Sequence, residues 1–237
     1  MIATALAEVR ARIERAAIAA GRDPASVKLI AVSKTKPAAA IREAHAAGQR
    51  AFGENYAQEL DEKARELADL PGIEWHFIGH LQTNKAKLVA RAAHVVHTVD
   101  SPVLARELAK RVRTLGRTLP VLIEVNVGAE PQKHGAAPAE LAEVIAAVRA
   151  EPELVLRGLM TVPPPDDLAA ARAVFDTLVT LRNLHGGVAA LPELSMGMTG
   201  DLEIAVACGS TLVRVGTAIF GARERGPVRV PPTSTSG

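Results

Sequence analysis

Apolar positions along this chain switch repeatedly between two spacings. Ile2, Leu6, Val9, Ile13 and Ala17 recur at helical spacing, and Gly21 follows as a stop. From residue 28 onward, short Val/Ile/Leu-rich runs alternate with longer stretches striped every three or four residues. The runs predict strands over 28–34, 50–53, 75–79, 94–99, 120–127, 154–161, 193–196 and 211–216. The stripes predict helices between them. Pro37 suits the first turn of one and Gly48 its end; Ser101-Pro102 read as the N-cap and first residue of another. Leu141, Val144, Ile145 and Val148 mark one apolar face, and Leu168, Ala171, Phe175, Leu178 and Leu181 mark a second. Thr217 begins a short final helix.

Eight β-then-α units predict an α/β fold, a single (β/α)8 TIM barrel over 1–226, with an extra helix at its N-terminus. The rival is an open doubly wound sheet with the same alternation. No Gly-x-Gly-x-x-Gly follows any predicted strand, which weakens its dinucleotide-binding form. Residues 227–237, rich in Pro, Ser, Thr and Gly, are expected to form a disordered tail.

Composition narrows the function. The 237 residues are 48% apolar but only 3% aromatic, and the formal charge of +2 is not gathered in any run. That excludes an aromatic platform or a basic footprint for nucleic acid, and nothing points to a membrane surface. The one cysteine, Cys208, excludes an intrachain disulfide and reads as a small apolar residue at a helix end. The first residues lack a basic segment followed by an uncharged apolar run, and no uncharged stretch is long enough to span a bilayer. A soluble cytoplasmic protein is expected. With no large apolar stripe beyond core needs, a monomer is expected as well.

In a barrel, residues at strand C-termini meet across one face. Lys34 ends the first predicted strand, in register with Ile30 and Val32, so burying it costs free energy unless its amine has a partner or chemistry. One reading is an amine activated by low dielectric and by Lys36; the commoner one is a side chain that snorkels to water. Ser195-Met-Gly-Met-Thr-Gly-Asp201 and Val215-Gly-Thr217 place hydroxyls and glycines before helix starts, where an anion is favoured; simple helix capping explains them equally well. Arg214 shares a face with Leu212 and Gly216, pointing inward, where Glu124 or a ligand acceptor could satisfy it. The histidines fail as metal ligands. His94 and His97 face opposite ways on a strand, and His76 and His80 straddle a strand end. Together, an amine, an anion site and an inward arginine describe a ligand with an aldehyde, a phosphate and an acceptor ring nitrogen. Pyridoxal 5'-phosphate has all three.

The motifs Ala31-Val-Ser-Lys-Thr-Lys-Pro37, Phe52-Gly-Glu-Asn-Tyr-Ala-Gln-Glu59, Trp75-His-Phe-Ile-Gly-His-Leu-Gln-Thr-Asn-Lys85, Gly158-Leu-Met160, Leu194-Ser-Met-Gly-Met-Thr-Gly-Asp201 and Arg214-Val-Gly-Thr-Ala-Ile-Phe-Gly221 follow one another in order. In these the chain resembles the pyridoxal phosphate homeostasis proteins, relatives of the alanine racemase N-terminal barrel. The resemblance implies that Lys34 forms an internal aldimine. It further implies that Ser195, Thr199, Gly216 and Thr217 hold the phosphate, that Arg214 faces the pyridine nitrogen, and that Asn55 lines the cofactor. Lys36 and Lys133 match family lysines of less settled role. Thr199 stands where the family usually has Ser, keeping the hydroxyl.

Two functions follow from the resemblance: a protein that stores, delivers or buffers the cofactor, and an amino-acid racemase. A charged arginine at the ring nitrogen disfavours ring protonation and weakens the electron sink. Racemisation also needs bases on both faces of the substrate carbon, and the only tyrosine is Tyr56. The chain ends soon after the eighth strand, so no second domain is expected to close the pocket. Cofactor homeostasis without appreciable turnover is therefore the expectation, with apo-enzymes that take up the cofactor as candidate partners.

Overall fold

A computed structural model describes residues 1–128 and 132–222; the expected tail at 227–237 lies outside the described residues. Strands β1 (Lys28–Val32), β2 (Ala51–Glu54), β3 (Glu74–Phe77), β4 (Val95–Val99), β5 (Leu119–Glu124), β6 (Leu154–Met160), β7 (Glu193–Ser195) and β8 (Leu212–Val215) are parallel and close into a barrel in sequence order. The ring closes where Ile30 of β1 pairs with Arg214 of β8. The barrel expected from the eight units is thus the fold, and the open sheet is not.

The helices lie outside: α1 (Ile2–Ala19), α2 (Ala38–Ala46), α3 (Ala57–Glu66), α4 (Ala86–Ala92), α5 (Pro102–Arg113), α6 (Leu141–Arg149), α7 (Leu168–Leu184), α8 (Gly187–Ala190), α9 (Leu202–Ala207) and α10 (Thr217–Phe220). Their local causes are legible. Ser101 Oγ accepts from the Leu104 amide at 3.3 Å, with Pro102 in the first turn, so α5 starts as its cap dictates. Leu104, Leu108 and Val112 then form a fully covered stripe, each burial contributing roughly 2 kcal/mol. Only α8 was not anticipated; four residues are too few to carry a period.

The main core lies between this helical ring and the outer sheet surface. A smaller apolar layer, Ile30, Ala51, Val95, Leu122, Met160 and Leu212, plugs the barrel interior. Two residues further along these strands the interior becomes polar, with buried His97 and Arg214. Helix α1 packs beside α2, α9 and α10, across the closing seam. Its Arg12 pairs with Glu203 of α9 at 2.8 Å and donates to the Thr199 carbonyl at 2.9 Å, tying the extra helix to the loop after β7. Among the described residues, no helix is long and apolar enough to cross a membrane.

Candidate functional site

Strand β1 ends at Val32, and Lys34 sits in the turn just beyond it. Val32 and Lys34 nonetheless line one cavity, while Ser33 between them is buried. A hydrogen-bond network holds this turn. The Ser33 amide donates to the Gly53 carbonyl at 2.9 Å, and its hydroxyl donates to Glu54 Oε1 at 2.6 Å. Lys63 Nζ, from α3, donates to the Ser33 carbonyl (2.7 Å), Glu54 Oε1 (2.8 Å) and Glu59 Oε1 (2.7 Å). Thr35 then adopts φ 64°, left-handed backbone that a β-branched residue rarely takes, while its amide donates to Glu59 Oε1 at 2.5 Å. Lys34 is held between these two clamped neighbours. Burial pushes the Glu54 carboxyl up to about 7, against the pull of Lys63.

Half-buried Lys34 lines a cavity of about 380 Å³ at the C-terminal mouth of the barrel. Asn55, Thr199, Arg214, Gly216 and Thr217 share that wall. Six of the seven residues singled out in the sequence are thus brought together, at a volume suited to a small organic ligand. Close approach of backbones builds it. A Cβ on Gly216 would lie 3.1 Å from the Val32 carbonyl oxygen, so glycine lets the loop after β8 settle against the end of β1. Gly197 has φ 96°, and a Cβ there would lie 2.5 Å from that of Ala205, so only glycine fits. The following turn is closed by Asp201, whose Oδ1 accepts from the Met198 amide at 2.5 Å. The side-chain oxygen of Asn55 is buried without a donor.

Ser195 is the seventh residue, and it lies below the cavity rather than in its wall. Its fully buried hydroxyl accepts from Arg214 Nη1 at 2.6 Å and contacts His97 Nδ1 at 2.8 Å. Arg214 Nη2 donates to the Thr161 carbonyl at 2.9 Å. Arg214 points inward as expected, but its hydrogen-bond acceptors are Ser195 and Thr161, not the Glu124 carboxylate foreseen as one option. Burial lowers the guanidinium to about 10, which leaves it charged at neutral pH. Burial also raises Glu124 to about 7, with Asp100 adding to the shift. Lys36, which one reading had lending charge to Lys34, donates to the Ala222 carbonyl at 2.9 Å and is not among the cavity-lining residues.

The histidines behave as polar packing groups, and among the described residues none joins a cluster fit for a metal ion. His80 stacks on His134 with ring centroids 3.7 Å apart. His94 Nδ1 accepts from the Trp75 amide at 3.0 Å. Cys208 caps the end of α9 and is half-buried rather than buried. Lys63, Glu59 and Ser33 escaped the sequence reading of the site. The Glu59/Lys63 spacing on α3 was visible, but its meeting with β1 was not.

The closed eight-stranded barrel with its extra N-terminal helix is of the alanine-racemase-like class. The family described as alanine racemase, N-terminal domain, matches residues 5–224. The pyridoxal phosphate homeostasis protein of Pseudomonas aeruginosa is 52% identical over 95% of this chain and 97% of its own. That of Escherichia coli is 47% identical over 94% and 97%. Among solved structures, PipY of Synechococcus elongatus with pyridoxal phosphate bound is 41% identical, with a TM-score of 0.82 over 93% of this chain and 100% of its own. A histidine racemase from Leuconostoc mesenteroides shares the fold at 18% identity and TM-score 0.65, with 57% of its length covered. The chain belongs to the pyridoxal phosphate homeostasis protein family.

Proposed function

We propose that this protein binds pyridoxal 5'-phosphate reversibly at the β1/β7/β8 mouth and serves cofactor homeostasis rather than amino-acid turnover. The observation that carries this reading is the convergence of Lys34, Arg214, Thr199 and Thr217 on one cavity. The donor set fits the group. Thr199 and Thr217 offer hydroxyls, and Thr217 opens α10, where the first amides have no intrahelical acceptor. Arg214 spends two of its guanidinium donors on Ser195 and Thr161 and faces the cavity, suiting an acceptor such as a pyridine nitrogen. The donor-less oxygen of Asn55 suits a ligand hydroxyl. When bound, pyridoxal phosphate supplies an aldehyde able to condense reversibly with an amine. Lys34 presents that amine, held in place by the Lys63 network.

The lining supports binding over turnover. The described lining residues include one amine, Lys34, and no carboxylate, histidine, tyrosine or cysteine, whereas racemisation needs a base on each side of the reacting carbon. Tyr56 is half exposed and is not among the cavity-lining residues. Titration with pyridoxal phosphate is expected to produce a saturable near-visible band that is lost in Lys34→Ala. Incubation of the loaded protein with L-alanine is expected to yield no D-alanine above the free-cofactor background. Robust racemisation that disappears in Lys34→Ala would overturn the non-enzymatic reading. Absence of the band would overturn the binding reading itself.

A further inference from the structure

Behind Arg214 a chain of buried polar groups crosses the barrel interior. Ser195 Oγ contacts His97 Nδ1 at 2.8 Å, His97 Nε2 contacts His76 Nδ1 at 2.8 Å, and His76 Nε2 lies 3.4 Å from Glu74 Oε1. Glu74 in turn pairs with Lys28 at 2.9 Å, at the opposite end of β1 from the cavity. Ser195, His97 and His76 are essentially inaccessible to solvent. Distances alone do not say which way the protons point, but Arg214 does, because a guanidinium can only donate.

Consider the two directions. If Ser195 accepts from Arg214 and donates its own proton to His97 Nδ1, then His97 carries its proton on Nε2 and donates to His76 Nδ1. His76 then carries Nε2–H toward the Glu74 carboxylate. In this direction every contact pairs a donor with an acceptor. In the reverse direction His97 Nδ1–H points at Ser195, which already accepts from Arg214. The serine proton then has no acceptor among its contacts, and a His76 lone pair faces a carboxylate. An unsatisfied buried hydroxyl and a repulsive contact both disfavour that arrangement. Burial, with the Arg214 charge adding to it, holds His97 well below its usual range, consistent with a neutral ring.

We infer that Ser195, His97 and His76 form a one-directional hydrogen-bond chain leading away from Arg214, with the His76 Nε2–H directed toward the Glu74 carboxylate 3.4 Å away, that fixes the guanidinium in the cavity. They are thereby positioning residues for the cofactor, and Ser195 acts through Arg214 rather than on the phosphate. This inference rests on the binding reading above only for its effect on the cofactor; the tautomers belong to the ligand-free protein.

The test has two arms. Nitrogen-15 spectra of the histidine rings in ligand-free protein at neutral pH are expected to show His97 and His76 both as Nε2–H tautomers with bare Nδ1. An Nδ1–H tautomer at either ring, or a charged His97, would overturn the chain. Ser195→Ala is expected to weaken pyridoxal phosphate binding about tenfold, the worth of one hydrogen bond to a charged group, and to shift the His97 Nδ1 resonance. Ser195→Thr, which keeps the hydroxyl, is expected to restore both. Unchanged affinity in Ser195→Ala would refute the positioning role. If the parent protein takes up no pyridoxal phosphate, the binding reading fails and the tautomer spectra still decide the chain.

Discussion

Replacing Lys63 by methionine tests whether the network beneath Lys34 works as charge chemistry or as mere packing. Methionine keeps most of the stem but removes three donors, those to the Ser33 carbonyl, Glu54 and Glu59. The Glu54 side chain has 0% exposure, so the change leaves a buried carboxylate without its cation. Breaking such a pair costs about 3–5 kcal/mol. The carboxylate can escape part of that cost by taking a proton. In the parent protein Glu54 already sits at about 7 against its ordinary 4.5. A folded pKa above the unfolded one means that the folded state holds the proton more tightly. Stability linked to Glu54 is therefore full below 4.5, falls as pH rises through the window to about 7, and loses roughly 3 kcal/mol in total.

Without Lys63 the window extends upward, because the cation that lowers the Glu54 pKa is gone. The variant is expected to lose about 1 kcal/mol at pH 5, from the lost hydrogen bonds to Glu59 and to the Ser33 carbonyl, which keeps the Lys36 amide, and about 3 kcal/mol or more at pH 8. Urea denaturation of both proteins at pH 5, 6.5 and 8 measures the difference, and Glu54→Gln in the Lys63→Met background is expected to remove its pH dependence. A loss that is the same at every pH, or one that Glu54→Gln leaves untouched, would refute the argument.

Three other outcomes follow from single contacts. A Cβ on Gly79 would lie 2.0 Å from the Asn55 carbonyl oxygen, so Gly79→Ala is expected to cost about 3 kcal/mol in urea denaturation and to weaken cofactor uptake by displacing the Asn55 backbone. Asp201→Ala, which frees the Met198 amide, is expected to cost about 1–2 kcal/mol by the same assay. Burial, with Asp176 adding to it, raises the Cys208 thiol to about 11, so iodoacetamide is expected to alkylate the native protein at pH 8 more slowly than the unfolded chain; equal rates would contradict the shift.

The barrel was legible because each β-then-α unit declares itself locally, through a period change and through caps such as Ser101-Pro102. The cavity was legible for a related reason. In a barrel, strand ends converge by construction, so Lys34, Asn55, Arg214 and Thr217 could be placed on one rim from order alone. What escaped depended on register and depth. That Lys63 meets Ser33 and Glu54 requires the pairing of Val32 with Gly53, which no local pattern states. The resemblance grouped Ser195 with the loop after it as a phosphate ligand, yet it is the last residue of β7 and lies one layer deeper. His76 and His97 were set aside singly as metal candidates, and their junction across β3 and β4 could not be seen from two separate strands. The left-handed Thr35 carries no sequence signal at all, since a threonine there argues against that conformation.

The central claim is that Lys34, and no other lysine, is the covalent anchor for pyridoxal phosphate. Borohydride reduction of the protein loaded with pyridoxal phosphate, followed by peptide mass mapping, measures this directly. The account predicts one phosphopyridoxyl group per chain, on Lys34, and none in Lys34→Ala. The same mass found chiefly on Lys36 or Lys133, or retained in full by Lys34→Ala, would contradict it.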